Sequence, residues 1–259
     1  MTTVLIALVL YAAATALLVR GLRRDGRSRL WLPPAALAIA LHAAVHLVSW
    51  RGNGPDLHFF PALSLVGLGM AALTAVTGAY GRMAALGVVV FPVAATMLGL
   101  HALIGHERPE GLDWRLQLHA GFALLAYATL AIAALLALML WLQERALRRR
   151  EFHGWLGALP PLIQLETLLF RTIGAGFALL SATLLTGVLF VEDLLAQHLV
   201  HKTVLSVLSW LTFGALLLGR WRRGWRGATA VRWTLTAMAL LVLAFFGSKF
   251  VLEMVLQRA

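Results

Sequence analysis

Residues 40–50 read ALHAAVHLVSW, two histidines four residues apart in a stretch of nearly pure hydrocarbon. At i and i+4 of a helix two imidazoles share one face, one turn apart. Imidazole ligates haem iron as well as Zn, Cu, Fe and Ni, so such a pair could help hold a flat or octahedral centre. The chain has nine histidines: His42, His46, His58, His101, His106, His119, His153, His198 and His201. It has no cysteine, which removes thiolate metal sites, disulfides and the C-x-x-C-H attachment of c-type haem.

The elements that must position these residues are membrane helices. Of 259 residues 61% are hydrophobic and only 13% charged, with a mean hydropathy of +0.84, outside the range of water-soluble domains. Crossing ~30 Å of hydrocarbon takes about 20 mostly apolar residues. Eight such segments can be drawn, over 2–19, 30–49, 59–80, 83–105, 117–142, 167–191, 203–219 and 232–256. Barrel strands would alternate apolar and polar positions, and these runs do not, so the expected fold is an all-α polytopic bundle in a single membrane domain, four helices in 1–115 and four in 116–259. The first segment lacks a basic leader and a small-residue cleavage site and is read as a mature helix. Gly67, Ala71, Ala75 and Ala79, spaced by four in the third segment, form a small-residue stripe suited to close helix packing.

Lys and Arg in short loops stay on the cytoplasmic side. Alternate connections here hold 16 of the 22 basic residues, with Arg20, Arg23, Arg24, Arg27 and Arg29 in the first and Arg220, Arg222, Arg223, Arg226 and Arg232 in the last. The same side carries four of the 11 acidic residues, so both termini are expected to be extracytoplasmic. Topology and contact with anionic lipid account for the isoelectric point near 11.5. No module that reads nucleic-acid bases accompanies the arginines, and no nucleic-acid partner is expected.

On this topology eight of the nine histidines fall on the outer side, His153 being the exception. An ionisable side chain in a membrane span is by default a functional candidate, which applies to His42, His46, His101 and His119. The outer carboxylates Asp56, Glu107, Glu110, Asp113, Glu192 and Asp193 could complete a hard-metal site. No nucleophile paired with a base, phosphate loop or pair of buried carboxylates suggests an enzyme.

Three stretches occur in order: LQLHAGFALLAYATLAIAALLALMLWLQE, then LPPLIQLETLLFRTIGAGFALLSATLLTG, then HKTVLSVLSWLTFGALLLGRWRRGWRG, and LAFFGSKF follows near the end. Together, over 116–247, they resemble the cytochrome c assembly protein family of CcsA, ResC and CcmC. Within it they resemble the short eight-helix branch with HemX and YpjD, and residues 1–115 match more loosely. The family's helix-opening histidine, in the pattern H-x-x-x-x-x-x-x-Y, falls on His119, with Tyr127 at the tyrosine. Its early intramembrane histidine falls on His42. The resemblance implies non-covalent haem b, with His119 and His42 as iron ligand candidates. His46 could be a spare, a hydrogen-bonding partner or a metal-site residue, and His101 and His201 are further cofactor-binding candidates. Where full-length members end a tryptophan-rich loop in W-D-P-K-E-T-W, this chain reads LVHKTVL: Lys202 is retained, while Val200, His201 and Leu205 replace Asp, Pro and Trp. A site of simpler ligation is expected.

The implied role is haem handling at the outer leaflet of a bacterial inner membrane, in cytochrome c biogenesis or in regulating haem supply. Its partners would be the lipid bilayer, haem, and proteins of cytochrome c biogenesis or haem synthesis. Two other classes fit the residues. One is a divalent-cation transport or resistance component using His46, His101, His106 and His201 with Asp56 or Glu107; the other is a scaffold docking a cytoplasmic partner through Arg222, Arg223 and Arg226. The charge asymmetry predicts that alkaline phosphatase fused after Ala259 is active, as is one fused within the 106–113 loop, whereas a fusion within 150–160 is inactive. The opposite pattern would invert the topology.

Overall fold

The computed structural model describes residues 1–24, 29–80, 82–105, 111–149, 161–190 and 200–250. Among them no strand occurs, and eight helices are long and apolar enough to cross a membrane. They are α1 (Thr2–Arg24), α2 (Leu32–Asn53), α3 (Phe59–Tyr80), α4 (Gly87–Ile104), α5 (Trp114–Arg148), α6 (Leu162–Phe190), α7 (Val200–Arg223) and α8 (Gly227–Val242). A 3-10 turn, Arg82–Leu86, leads into α4, and a π-helical turn, Leu243–Gly247, continues α8.

Local sequence sets the ends. Pro33 and Pro34 occupy the first turn of α2, where a missing N–H removes no helical bond. Pro161 precedes α6, and its carbonyl accepts the N–H groups of Gln164 at 2.8 Å and Leu165 at 3.0 Å. Asp113, in extended backbone, caps α5 by accepting the Trp114 N–H at 2.7 Å. α6 begins five residues before the hydropathy segment that foretold it, and so includes Glu166. α5 has 35 residues, about 52 Å at the helical rise, so its ends project beyond the hydrocarbon. Of the last expected span, 251–256 lies outside the described residues, as do 150–160 of the long connection.

The chain forms two compact units, Met1–Leu112 and one starting at Asp113. In the first, α1 packs on α2 and α4, and α3 packs on α4 and α2. Tyr11, Phe91 and Leu98 are among its fully buried side chains. The small-residue stripe of α3 does what its spacing suggests at Gly67, where a Cβ would lie 3.3 Å from the Ala94 Cα of α4. In the second unit α5 packs on α6 and α8, and α7 on α6 and α8. Leu130, Leu136, Leu169, Ile173, Phe213 and Leu241 are buried there. Bonds also cross between helices: Ser209 donates to the Ala237 carbonyl at 2.8 Å, and the Trp210 indole donates to Ser181 at 2.8 Å.

Gly176 brings α6 against α5. A Cβ there would meet Leu130 Cδ2 at 2.5 Å and Cγ at 2.6 Å. Gly176→Ala therefore overpacks this contact, which outweighs alanine's better helix propensity. The expected loss is about 1–3 kcal/mol, read as a lower Tm in detergent; an unchanged Tm would show that the contact yields freely.

Candidate functional site

His119 lies in the second turn of α5, and Tyr127 lies two turns further along the same helix. Both line a cavity of about 230 Å³, with Thr183 and Gly187 of α6, Lys202 of α7, and Phe245 of the π-helical turn. Most other lining side chains are aliphatic. The Thr186 hydroxyl donates to the carbonyls of Ala182 (2.9 Å) and Thr183 (3.0 Å), as hydroxyls within apolar helices commonly do. With its hydrogen on those carbonyls, its oxygen is free to accept from His119 Nδ1, 3.2 Å away. This arrangement suits the tautomer with the proton on Nδ1, in which Nε2 is the basic nitrogen. A ligating histidine is oriented in the same way, through a hydrogen bond on its other nitrogen. Gly187 makes room for the ring, since a Cβ there would lie 3.2 Å from His119 Cε1.

The Tyr127 hydroxyl donates to the Leu241 carbonyl, and its ring meets Phe246 edge-on with centroids 5.5 Å apart. π-helical turns are uncommon and are often found at functional positions. Here the turn puts Ala244 and Phe245 on the cavity wall, and Lys249 Nζ lies 5.4 Å from the Phe245 ring centre. His201 is exposed at the start of α7 and does not line the cavity, whereas its neighbour Lys202 does.

In the first unit all four helices contribute to one polar cluster. His42 is fully buried and His46 is 3% exposed. The Tyr11 hydroxyl of α1 lies 3.1 Å from His42 Nδ1, and Ser64 Oγ of α3 lies 2.9 Å from His42 Nε2 and 3.0 Å from His46 Nε2. His101 of α4 stacks on His46, with centroids 4.9 Å apart and planes 16° from parallel. The shared face expected from the i, i+4 spacing is present, but both nitrogens of His42 already have partners. Stacked rings direct their nitrogens side by side, not toward one point. Among the described residues no three His, Cys, Asp or Glu side chains are placed to hold a metal ion. Asp56 turns to His58 instead, accepting from its backbone N–H at 3.0 Å and lying 2.8 Å from its Nδ1. His106, His153, His198, Glu107, Glu110, Glu192 and Asp193 lie outside the described residues.

Sequence reasoning missed Tyr11, Ser64, Thr186 and Glu166. Glu166 is 7% exposed at the start of α6 and pairs with Arg220 at 2.8 Å and with Arg226 at 3.0 Å. Its hydrogen bond and charge hold the Arg226 guanidinium even more firmly protonated than usual. The run GRWRRGWRG is thus partly a clasp: Gly224 and Gly227 take left-handed backbone, and Gly219 gives the Trp225 ring its seat. A carboxylate at the edge of an apolar helix, facing an arginine-rich connection, was the available signal.

Tyr127→Phe removes one hydrogen bond without changing ring packing, and is expected to lower stability by about 0.5–1.5 kcal/mol. Denaturant unfolding in detergent checks this; a wild-type midpoint would mean the bond contributes nothing.

Comparison with known proteins bears on this arrangement. No solved structure matches the chain. The Inner membrane protein YpjD of Escherichia coli K12 is 30% identical over 258 residues, covering 97% of this chain and 98% of its own length. An uncharacterized 28.8 kDa protein of Azospirillum brasilense is 32% identical, covering 92% of this chain and 90% of its own. Protein HemX of Brevibacillus brevis is 27% identical over 50% of this chain and 48% of its own. The family model described as Cytochrome C assembly protein matches residues 5–256, cavity and histidine cluster included, and the chain belongs to that family.

Proposed function

We propose that this multi-pass bacterial inner-membrane protein binds haem non-covalently and handles it at the outer leaflet, in cytochrome c biogenesis or in the regulation of haem supply. The observation that carries the proposal is His119, with Nδ1 tied to Thr186 and Nε2 basic, in an apolar cavity that also contains Lys202 and Tyr127. These residues fit the group. Imidazole is a ligand for haem iron, aliphatic walls suit a macrocycle, and an ammonium suits a carboxylate side arm. At about 230 Å³ the cavity falls below the usual ~300–1,000 Å³ of an enclosing ligand pocket, so a macrocycle would enter by one edge. Bound iron would supply the redox or ligand-exchange chemistry; this chain's residues bind, orient and shield it.

His119 is the proposed iron ligand, Thr186 orients it, and Lys202 is the proposed anion partner. His42 is the proposed ligand only for a haem that displaces Ser64 from its Nε2; His46 and His101, stacked beside it, would line that approach. With no cysteine in the chain, thioether attachment to it is ruled out, which favours haem b.

The test is an absorption spectrum, oxidised and reduced, of detergent-purified protein titrated with haemin. The expected wild type shows a Soret band and sharp reduced α and β bands, lost in His119→Ala and shifted in His42→Ala. Thr186→Val, which leaves Nδ1 without its acceptor, is expected to weaken haem affinity about 10–100-fold. A wild type that takes up no haem would overturn the proposal.

A further inference from the structure

A second cavity, of about 420 Å³, lies in the same unit at its arginine-rich end, between the last turns of α5 and the starts of α6 and α8. Its charged lining is Glu144, Arg148, Glu166 and Arg226. Glu166 is already satisfied by Arg220 and Arg226. Glu144 and Arg148 stand one turn apart on α5, yet among the described residues no ion pair joins them to each other or to a third group. Among the described residues the wall thus presents one anion and one cation that no ion pair engages. Gly227 makes room for the carboxylate: its φ is +52°, and a Cβ there would lie 2.6 Å from Glu144 Oε1.

The position is the edge of the hydrocarbon. The apolar run of α5 ends at Leu142 and is followed by Gln143 and Glu144, so the turn bearing Glu144 and Arg148 begins at headgroup depth. Trp141, under the Arg145 guanidinium at 5.4 Å, has the amphipathic character of a boundary anchor. Beside the charges the apolar part of the wall is Leu140, Leu162 and Ile163, and Ile163 is 70% exposed. Basic pockets among helix ends are established headgroup sites, and the added carboxylate makes this one zwitterionic.

The geometry points to a binding site for a phosphatidylethanolamine headgroup, with its ammonium on Glu144, its phosphate between Arg148 and Arg226, and its acyl chains along Ile163. Native mass spectrometry of the full chain, in micelles doped with equal dioleoyl phosphatidylethanolamine and dioleoyl phosphatidylglycerol, tests it. Wild type is expected to retain the ethanolamine lipid roughly fivefold over the glycerol lipid. Glu144→Gln should bring the ratio to about one, and Arg148→Gln should reduce both adducts; circular dichroism checks that both variants stay folded. Equal retention by wild type, or a preference unchanged in folded Glu144→Gln, would overturn the inference. So would displacement by equimolar glycerophosphoethanolamine, which would make the ligand a water-soluble ester.

Discussion

Inside hydrocarbon a polar group has no water to bond with, and each unsatisfied one costs several kcal/mol. Most of what is distinctive in this protein follows from that constraint. Thr15, Thr77, Thr96 and Thr129 return their hydroxyls to carbonyls one turn back. Glu166 is held by two guanidiniums. His42 is bonded on both nitrogens, and His119 on one. A group held on one side only is therefore informative, and His119 lines a cavity that could receive a ligand.

The two histidine sites differ in kind. In the first unit the imidazoles belong to a closed polar cluster fed by α1, α2, α3 and α4, where Ser64 serves two rings at once. In the second, one imidazole is fixed by a neighbour whose own hydrogen is spent, beside open volume and an ammonium. The first arrangement ties His42 on both nitrogens; the second sets His119 beside a cavity. The family to which the chain belongs is named for cytochrome c assembly, and the second arrangement is the one that supports a haem-handling reading.

Much of the architecture was legible from the residues. Runs of apolar side chains too long for anything but a spanning helix gave the eight elements, and zero cysteine limited the chemistry. The ends of α5 and α6 were less legible, because hydropathy marks the hydrocarbon while caps such as Asp113 and Pro161 set where a helix stops. His119 and Tyr127 stood out by their spacing, and their common cavity is a consequence of one helix face. Ser64, Thr186 and Glu166 did not stand out: a hydroxyl in an apolar helix almost always bonds back to its own turn, and only tertiary packing reveals that Ser64 serves two histidines and that Thr186 also accepts from one. The π-helical turn at Leu243–Gly247 follows the Leu241 carbonyl that Tyr127 reaches, and nothing in the local pattern of residues announces either.

The central claim is that His119 presents its Nε2 to a haem iron in the α5–α6–α7 cavity. An electron cryomicroscopy structure of the haem-loaded protein tests it most directly. The account predicts macrocycle density entering that cavity by one edge, with iron at bonding distance from His119 Nε2 and Thr186 still on Nδ1. Iron bound elsewhere, with the His119 cavity empty, would contradict it.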